Sequence, residues 1–164
     1  MVGASPNHNL ILGVIVTLFN LLFVEENYYV YPSDQRIKIE RKRGVRVTRY
    51  AYPDISITSE DRKFETIDGL KTLLNPIILV EILSESTEAE DRGQKFEHYK
   101  NIPSFREYLL VAQDSAQIDQ FIRQEDGSWM QKTHTGLESA VILESVEGSL
   151  PLKRVYAKVE FDQI

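Results

Sequence analysis

Two acidic residues and one lysine occupy positions where their side chains could perform chemistry. Glu81 interrupts the apolar run Ile77–Leu83, and Asp54 follows a proline at the start of a shorter apolar run. A lone carboxylate inside an apolar strand is costly unless it is paired, protonated or bound to a cation. Lys95 would add a positive charge beside the two acids. Together these residue types suit metal-assisted hydrolysis of a phosphodiester bond, in which carboxylates hold a divalent cation and a lysine positions water or stabilises negative charge.

Each of these residues also has an ordinary structural explanation. Glu81 could form a buried salt bridge or lie at a sheet edge that faces water. Asp54 could belong to a Pro-Asp turn at a strand entrance, which is a common arrangement. Lys95 could form an exposed ion pair with Asp91, one helical turn earlier. We favour a functional role for Glu81, because acids embedded in strands often mark functional sites.

The elements that must position these side chains can be predicted from apolar periodicity. Ile77–Leu83 has the length and composition of a strand covered on both faces. Thr87 and Glu90 then form a capping-box pattern, which predicts a helix that continues to about Lys100. Residues 106–112 form the next predicted strand, and a strand–helix–strand order implies a right-handed crossover between parallel neighbours.

Helical spacing places Asp91, Lys95 and Tyr99 on one face of this helix. If that face turns toward the strands, Lys95 comes to lie beside the two acids. In the predicted strand Tyr52–Thr58, alternation places Asp54 on a polar face that could line a cleft. The cleft would then contain two carboxylates from strands and an ammonium group from a helix.

The rest of the chain completes a mixed α/β pattern. An apolar helix is predicted at about Asn7–Phe23, and the Arg43-Gly44 and Asp126-Gly127 pairs are typical of turns. Further strands are predicted at residues 28–30, 37–39, 45–50, 116–124, 129–133, 140–143 and 155–161. The predicted fold class is therefore α/β, with a mixed, partly parallel central sheet flanked by helices.

Length and composition narrow the class of protein. The chain has 164 residues, which suits one domain. It has no cysteine, which excludes disulfides and thiolate metal sites and gives no sign of secretion, so we expect a cytoplasmic protein. Its three histidines are scattered. Any metal would therefore be held by carboxylates, whose oxygens favour Mg²⁺ or Mn²⁺.

Charge is distributed unevenly along the chain. The net charge of −6 is not typical of a nucleic-acid-binding protein. Basic residues are nevertheless concentrated between Arg36 and Arg49, where only Glu40 opposes them. A local basic stripe can contact phosphates, and a solvated hairpin explains the pattern about equally well. The candidate nucleic-acid contacts are Arg41, Lys42, Arg43 and Arg46.

The apolar segment Leu10–Val24 is the candidate membrane element. At about 1.5 Å per residue it is too short for a hydrocarbon core of about 30 Å. It contains Asn20, and no basic region precedes it as in a signal peptide. We therefore expect a buried or interface helix and no membrane association.

Four motifs follow one another in a specific order. They are Tyr-Pro-Asp-Ile (52–55), Leu-Val-Glu-Ile-Leu-Ser-Glu-Ser-Thr (79–87), Asp-Arg-Gly-Gln-Lys-Phe-Glu-His-Tyr (91–99) and Arg-Glu-Tyr-Leu-Leu-Val (106–111). The opening Gly-Ala-Ser-Pro-Asn-His-Asn (3–9) looks like the helix entrance of the same family. As an ordered set that covers nearly the whole chain, they resemble the Uma-two family, restriction endonuclease-like proteins of the PD-(D/E)XK nuclease superfamily.

The resemblance implies roles for particular residues. Asp54 would be the PD aspartate, Glu81 the acid of the (D/E)XK motif, and the backbone carbonyl of Ile82 a further metal ligand. Leu83 occupies the position of the motif's lysine, so the motif as written fails at that residue. The resemblance implies that the lysine has moved to the following helix, where Lys95 matches.

The resemblance also implies a restriction endonuclease-like core, DNA as the substrate and a homodimer. His8 and Asp34 match other recurrent family positions, and with Tyr99 they form a second tier of candidates. Family members usually carry a strand pair and an early glutamate before this point, so the sequence is expected to represent a domain shortened at its N-terminus. The alternative is a catalytically inactive nuclease-fold protein that binds nucleic acid or a protein partner.

Overall fold

The computed structural model describes residues 4–41, 43–44 and 47–162. In chain order the elements are α1 (Pro6–Leu22), β1 (Tyr28–Pro32), β2 (Ile37–Ile39), β3 (Arg49–Ala51), β4 (Ile55–Ser59), β5 (Phe64–Ile67), β6 (Leu70–Leu73), β7 (Ile78–Ile82), α2 (Glu88–Arg92), α3 (Gln94–Tyr99), β8 (Glu107–Val111), β9 (Gln117–Arg123), β10 (Trp129–Thr135), β11 (Ala140–Ile142), β12 (Ser149–Pro151) and α4 (Leu152–Val155). The mixed α/β class predicted from the sequence is confirmed.

The central sheet has six strands in the order β1-β4-β7-β8-β9-β10. Strands β7 and β8 run parallel, and the other neighbours are antiparallel. Helices α2 and α3 form the crossover between the parallel pair, as the sequence predicts. A second sheet, β3-β2-β6-β5, and the pair β11-β12 complete the strands of the described residues.

The two faces of the central sheet carry separate apolar clusters. Helix α1 covers one face, where Ile11 and Phe19 are fully buried with Val80 of β7. The other face packs Leu79 against α3 and the second sheet, in a cluster rich in aromatic side chains. Because side chains alternate along a strand, Glu81 shares the face of Leu79 and points toward α3.

Helix α1 begins as its sequence suggests. The Ser5 side chain accepts a hydrogen bond from the His8 backbone N–H (3.1 Å), and Pro6 occupies the first helical position. This cap fixes His8 in the first turn, at the end of the helix that lies nearest the acids. Among the described residues, no helix combines the length and apolarity that a membrane crossing requires.

The segment after β7 departs from the prediction of one continuous helix. Helix α2 ends at Arg92 and α3 begins at Gln94, with Gly93 between them at φ −103° and ψ −105°. The predicted capping box is also wrong, because the Thr87 side chain makes no cap hydrogen bond. Its hydroxyl instead hydrogen-bonds the side chain of Ser84 (2.9 Å).

Strand boundaries differ most where side chains are polar. Strand β4 begins at Ile55, so Asp54 lies just before it. The predicted strand 45–50 is observed as β3, which begins at Arg49. Residues 45 and 46 lie outside the described residues. The β5–β6 hairpin was not predicted, although its Asp68-Gly69 turn has the positive φ angles (52° and 76°) typical of such pairs.

The predicted strand 155–161 is wrong. Helix α4 ends at Val155, and the next residue, Tyr156, is buried. Its hydroxyl donates to the backbone oxygens of Ala112 (2.8 Å) and Gln117 (2.7 Å). These tertiary hydrogen bonds fix the segment against the central sheet in a conformation that a local apolar pattern does not encode.

Candidate active site

A cleft of about 1130 Å³ opens where β7 ends and α1 begins. Five separate parts of the chain contribute its candidate site residues. These are His8 of α1, Asp34 after β1, Asp54 before β4, Glu81 of β7, and Asp91 and Lys95 of α2 and α3. The structure thus brings the two predicted acids, the predicted lysine and two of the three second-tier residues, His8 and Asp34, to one cleft.

Glu81 is buried in the cleft wall, with a relative exposure of 4%. Its Oε1 accepts a hydrogen bond from the Tyr99 hydroxyl (2.7 Å) and lies 3.5 Å from Lys95 Nζ. Burial raises the pKa of Glu81 to about 8. The positive charge of Lys95 lowers this pKa, whereas the negative charge of the nearby Asp54 carboxylate raises it further. The water-facing edge position considered for Glu81 is therefore excluded, whereas a buried ion pair is present.

Asp54 is held next to Glu81 by a backbone hydrogen bond. Its Oδ2 accepts from the N–H of Ile82 (2.8 Å), the residue that follows Glu81. The same oxygen lies 3.2 Å from Nε2 of His8, and this hydrogen bond raises the pKa of His8 above its ordinary value. The Pro-Asp segment thus bridges α1 and β7, which a simple turn at a strand entrance would not do.

Lys95 lies between two carboxylates. Its ammonium group contacts Asp91 Oδ1 as well as Glu81 Oε1. Asp91 is buried, with a relative exposure of 1%, so the pair is not the exposed surface contact that helical spacing alone allows. Burial lowers the pKa of Lys95, but the charge of Glu81 and the hydrogen bond to Asp91 outweigh it and raise this pKa overall.

Each of the two predicted acids has one carboxylate oxygen that no described residue hydrogen-bonds. They are Oδ1 of Asp54 and Oε2 of Glu81. Such oxygens are the ligands that hard cations such as Mg²⁺ and Mn²⁺ prefer, so the chemistry of the two acids fits an ion of this kind. Across the described ranges, no cluster of three or more His, Cys, Asp or Glu side chains is arranged to hold a metal ion.

The polar face of β4 does not line the cleft, because Ser56 and Thr58 are fully buried and Thr58 donates to the Asn75 carbonyl (2.8 Å). The sequence predicts Asp91 as a partner of Lys95 and not as a site residue. The sequence shows the spacing of Asp91 from Lys95 but not that Asp91 is buried beneath Tyr108. The Tyr108 hydroxyl donates a hydrogen bond to the Asp91 backbone oxygen (3.0 Å).

The basic stretch is only partly available to a ligand. Arg36 is buried, where its Nε donates to Thr72 (2.9 Å), and Lys38 pairs with Glu65 (2.9 Å). Arg41 and Arg43 are exposed. Lys42 and Arg46, which are also candidate contacts, lie outside the described residues. The exposed pair lies at the far end of the β2–β3 hairpin, beyond the strand ends that adjoin the cleft.

A solved structure with the same architecture defines the class of fold. It is the crystal structure of a putative nuclease belonging to DUF820 from Anabaena variabilis. The two chains superpose with a TM-score of 0.72 at 16% sequence identity, over 94% of this chain and 82% of the other. The fold is restriction endonuclease-like.

The sequence assigns the family more closely. Residues 1–153 match the Uma2 family model, described as "Putative restriction endonuclease", and the chain belongs to this family. Two uncharacterized proteins of Synechocystis sp., sll1609 and slr1290, are 32% and 35% identical over 128 and 130 residues. These matches cover 78% and 79% of this chain, and 69% and 64% of the relatives, so the chain spans about two thirds of their length.

Proposed function

We propose that this protein is a divalent-cation-dependent endonuclease that hydrolyses DNA phosphodiester bonds in the cytoplasm. One observation supports this most strongly. Lys95 Nζ lies 3.5 Å from Glu81 Oε1, while the backbone N–H of the next strand residue, Ile82, holds the Asp54 carboxylate. Separate segments of the chain thus combine two acids and a lysine in one cleft, as the chemistry of metal-assisted phosphodiester hydrolysis requires.

Asp54, Glu81 and the backbone carbonyl of Ile82 would hold Mg²⁺ or Mn²⁺. The carboxylate oxygens that accept no hydrogen bond, Oδ1 of Asp54 and Oε2 of Glu81, are the natural donors. When bound, such a cation neutralises charge on a phosphate and lowers the pKa of water. Binding also offsets the cost of keeping Glu81 ionised in a buried position.

Lys95 acts as the catalytic cation of the chain itself. Its ammonium group has three donors, of which Asp91 and Glu81 engage two, so a third can reach a water molecule or a phosphate oxygen. Asp91 fixes the direction of the ammonium group. A positive charge held in place before the reaction stabilises negative charge that develops on the phosphate.

His8 and Tyr99 serve as positioning residues. His8 holds Oδ2 of Asp54 from α1, and Tyr99 holds Oε1 of Glu81 from α3. Groups that hydrogen-bond a metal-binding carboxylate fix its orientation, and their loss commonly weakens metal affinity about 10- to 100-fold. Asp34, exposed at the cleft rim, is in reach of a ligand that enters the cleft.

The exposed Arg41 and Arg43, with Lys42 and Arg46, would contact the phosphate backbone outside the cleft. The family resemblance is the basis for proposing a homodimer, and analytical ultracentrifugation of the purified chain would test it.

A nuclease-fold protein without catalysis is the second candidate. It is favoured by the charge of the cleft, where Asp34, Asp54, Glu81 and Asp91 outnumber Lys95. In that case Lys95 would serve only to neutralise Glu81 and Asp91, and the protein would bind nucleic acid or a protein partner.

Cleavage of supercoiled plasmid in Mn²⁺ separates the two candidates. The wild type should nick the plasmid, whereas Glu81→Gln and Lys95→Met should abolish nicking and keep the fold by circular dichroism. Lys63→Met, which removes an exposed lysine, is the matched control and should retain activity. A folded wild type that binds DNA but gives no nicking above Lys95→Met would support the non-catalytic candidate.

A further inference from the structure

A second polar pocket lies at the opposite end of the central sheet from the cleft. Its volume is about 520 Å³, within the range of small-ligand sites. Its lining residues are Pro103, Arg106, Arg123, Gln124, Glu125 and Gly127. Arg106 precedes β8, whereas Gln113 of the cleft follows β8. At about 3.3 Å per residue the two sites are separated by roughly 20 Å.

Two guanidinium groups converge in this pocket on one backbone oxygen. Arg106 and Arg123 each place Nη1 near the carbonyl oxygen of Phe105, at 3.3 and 3.5 Å respectively. Arg106 also donates to the Pro103 carbonyl (2.6 Å). Like charges that approach the same acceptor repel each other. Within the described ranges, neither arginine is among the residues that form an ion pair with a carboxylate.

The acidic side chains around the pocket do not neutralise this pair. Asp126 accepts from the backbone N–H (2.9 Å) and hydroxyl (2.6 Å) of Ser128, so its carboxylate is engaged inside the β9–β10 turn. Glu107 is buried and accepts hydrogen bonds from Gln120 and from Ser145. Glu125 lines the pocket and is exposed, without an ion pair to either arginine.

We propose that the pocket formed by Arg106 and Arg123 binds a phosphate group. A guanidinium fork matches the geometry of phosphate oxygens and can bind them in a bidentate manner. A bound phosphate anion would accept a charge-assisted hydrogen bond from each arginine and reduce the repulsion between the two positive charges. The group could belong to a nucleotide or to the backbone of a nucleic acid. This inference does not depend on the chemistry of the cleft.

Inorganic phosphate is the first probe, added at constant ionic strength while the melting temperature is recorded. The wild type should show a saturable rise in melting temperature, and the Arg106→Gln, Arg123→Gln double variant should lose it. A double variant of two exposed basic residues, Lys153→Gln with Arg154→Gln, removes the same charge elsewhere and should keep the response. Glu125→Gln should lower the half-saturating phosphate concentration several-fold, and this variant leaves both arginines in place.

Competition with phosphate esters identifies the source of the group. In EDTA, a nucleoside monophosphate that displaces phosphate more effectively than a single-stranded oligonucleotide indicates a nucleotide site, and the reverse order indicates a nucleic-acid backbone. An equal rise in melting temperature for the wild type and the Arg106→Gln, Arg123→Gln variant would overturn the proposal. A wild type that does not respond to phosphate would also overturn it, as would phosphate binding that neither ester displaces.

Discussion

Glu81 occupies a position that disfavours its own charge. Burial raises its pKa to about 8, and the Asp54 carboxylate adds to this effect, while Lys95 and the Tyr99 hydroxyl only partly oppose it. An acid whose folded-state pKa lies above its unfolded value of about 4.5 destabilises the fold as pH rises between these two values. This is the behaviour expected of a site arranged for a cation and not for stability alone.

Replacing Glu81 with glutamine should therefore stabilise the metal-free protein at high pH. In EDTA the wild type should lose stability from about pH 4.5 to 8 and then level off, whereas Glu81→Gln should lack this slope. At pH 9 the difference should be about 3–5 kcal/mol, since one pKa unit corresponds to roughly 1.4 kcal/mol. Urea denaturation across pH measures it, with the exposed Glu60→Gln as control. If the free energy of unfolding changed with pH in the same way for the wild type and Glu81→Gln, the raised pKa of Glu81 would be contradicted.

Removing the Tyr99 hydroxyl should weaken cation binding more than it weakens the fold. Tyr99→Phe deletes the donor to Glu81 Oε1, which should cost about 1 kcal/mol of stability and about 10-fold in Mn²⁺ affinity at neutral pH. Tyr156→Phe removes another buried hydroxyl, bonded to two backbone oxygens on the other face of the sheet. It should reduce stability and leave Mn²⁺ affinity unchanged. Equal affinities for Tyr99→Phe and wild type would rule out a positioning role.

The sequence predicted that Asp54, Glu81 and Lys95 lie together in one cleft. It did not predict how deeply their side chains are buried. Glu81 could be singled out because a carboxylate inside an apolar run is conspicuous, and Lys95 because helical spacing orders it with Asp91 and Tyr99. The hydrogen bond from the Ile82 N–H to Asp54 could not be foreseen, since it joins distant segments. The roles of these residues stay predictions until cation binding is measured.

At the scale of elements, Gly93 separates α2 from α3 and so sets the direction of Lys95. A Cβ added at Gly93 would lie 2.9 Å from the Ala89 carbonyl oxygen, closer than real Cβ contacts allow. Gly93→Ala should therefore destabilise the protein by about 1–3 kcal/mol and impair cation-dependent activity, although alanine is the better helix former.

Gly13 of α1 is the matched control for this substitution. A Cβ added there meets nothing within 4 Å. Gly13→Ala should stabilise the protein by about 0.5–1 kcal/mol, because glycine in a helix interior loses more conformational freedom on folding. Thermal denaturation of both variants tests the pair, and a stabilising Gly93→Ala would show that the break between α2 and α3 is not required.

Elements with strong apolar patterns were predicted within one or two residues of their observed bounds. Strands β2 and β7 and helix α1 belong to this group, because burial on a defined face leaves a clear periodicity. The β5–β6 hairpin was missed, since its exposed and polar residues weaken the alternation, and the Asp68-Gly69 pair was the remaining signal. The predicted strand 155–161 failed because Tyr156 is fixed by tertiary hydrogen bonds to other segments.

At the scale of the whole molecule, a net charge of −6 opposes nonspecific attraction to DNA. Binding of a duplex oligonucleotide should therefore be weak in EDTA and stronger with Ca²⁺, a cation that can support binding in place of Mg²⁺.

Arg41→Gln with Arg43→Gln should reduce the slope of log K against log salt by about 2, roughly one for each phosphate contact. Fluorescence anisotropy measures this slope, and the Lys153→Gln, Arg154→Gln control should leave it unchanged. An unchanged slope in the Arg41, Arg43 variant would remove the hairpin from the DNA-binding surface.

Mn²⁺ binding measured by calorimetry at pH 7.5 tests the central claim most directly. The wild type should bind Mn²⁺ with a saturable heat signal, which Asp54→Asn and Glu81→Gln should each abolish while the variants remain folded. Wild-type protein that is folded and binds no Mn²⁺, or binding that survives both substitutions, would contradict a cation site formed by Asp54 and Glu81.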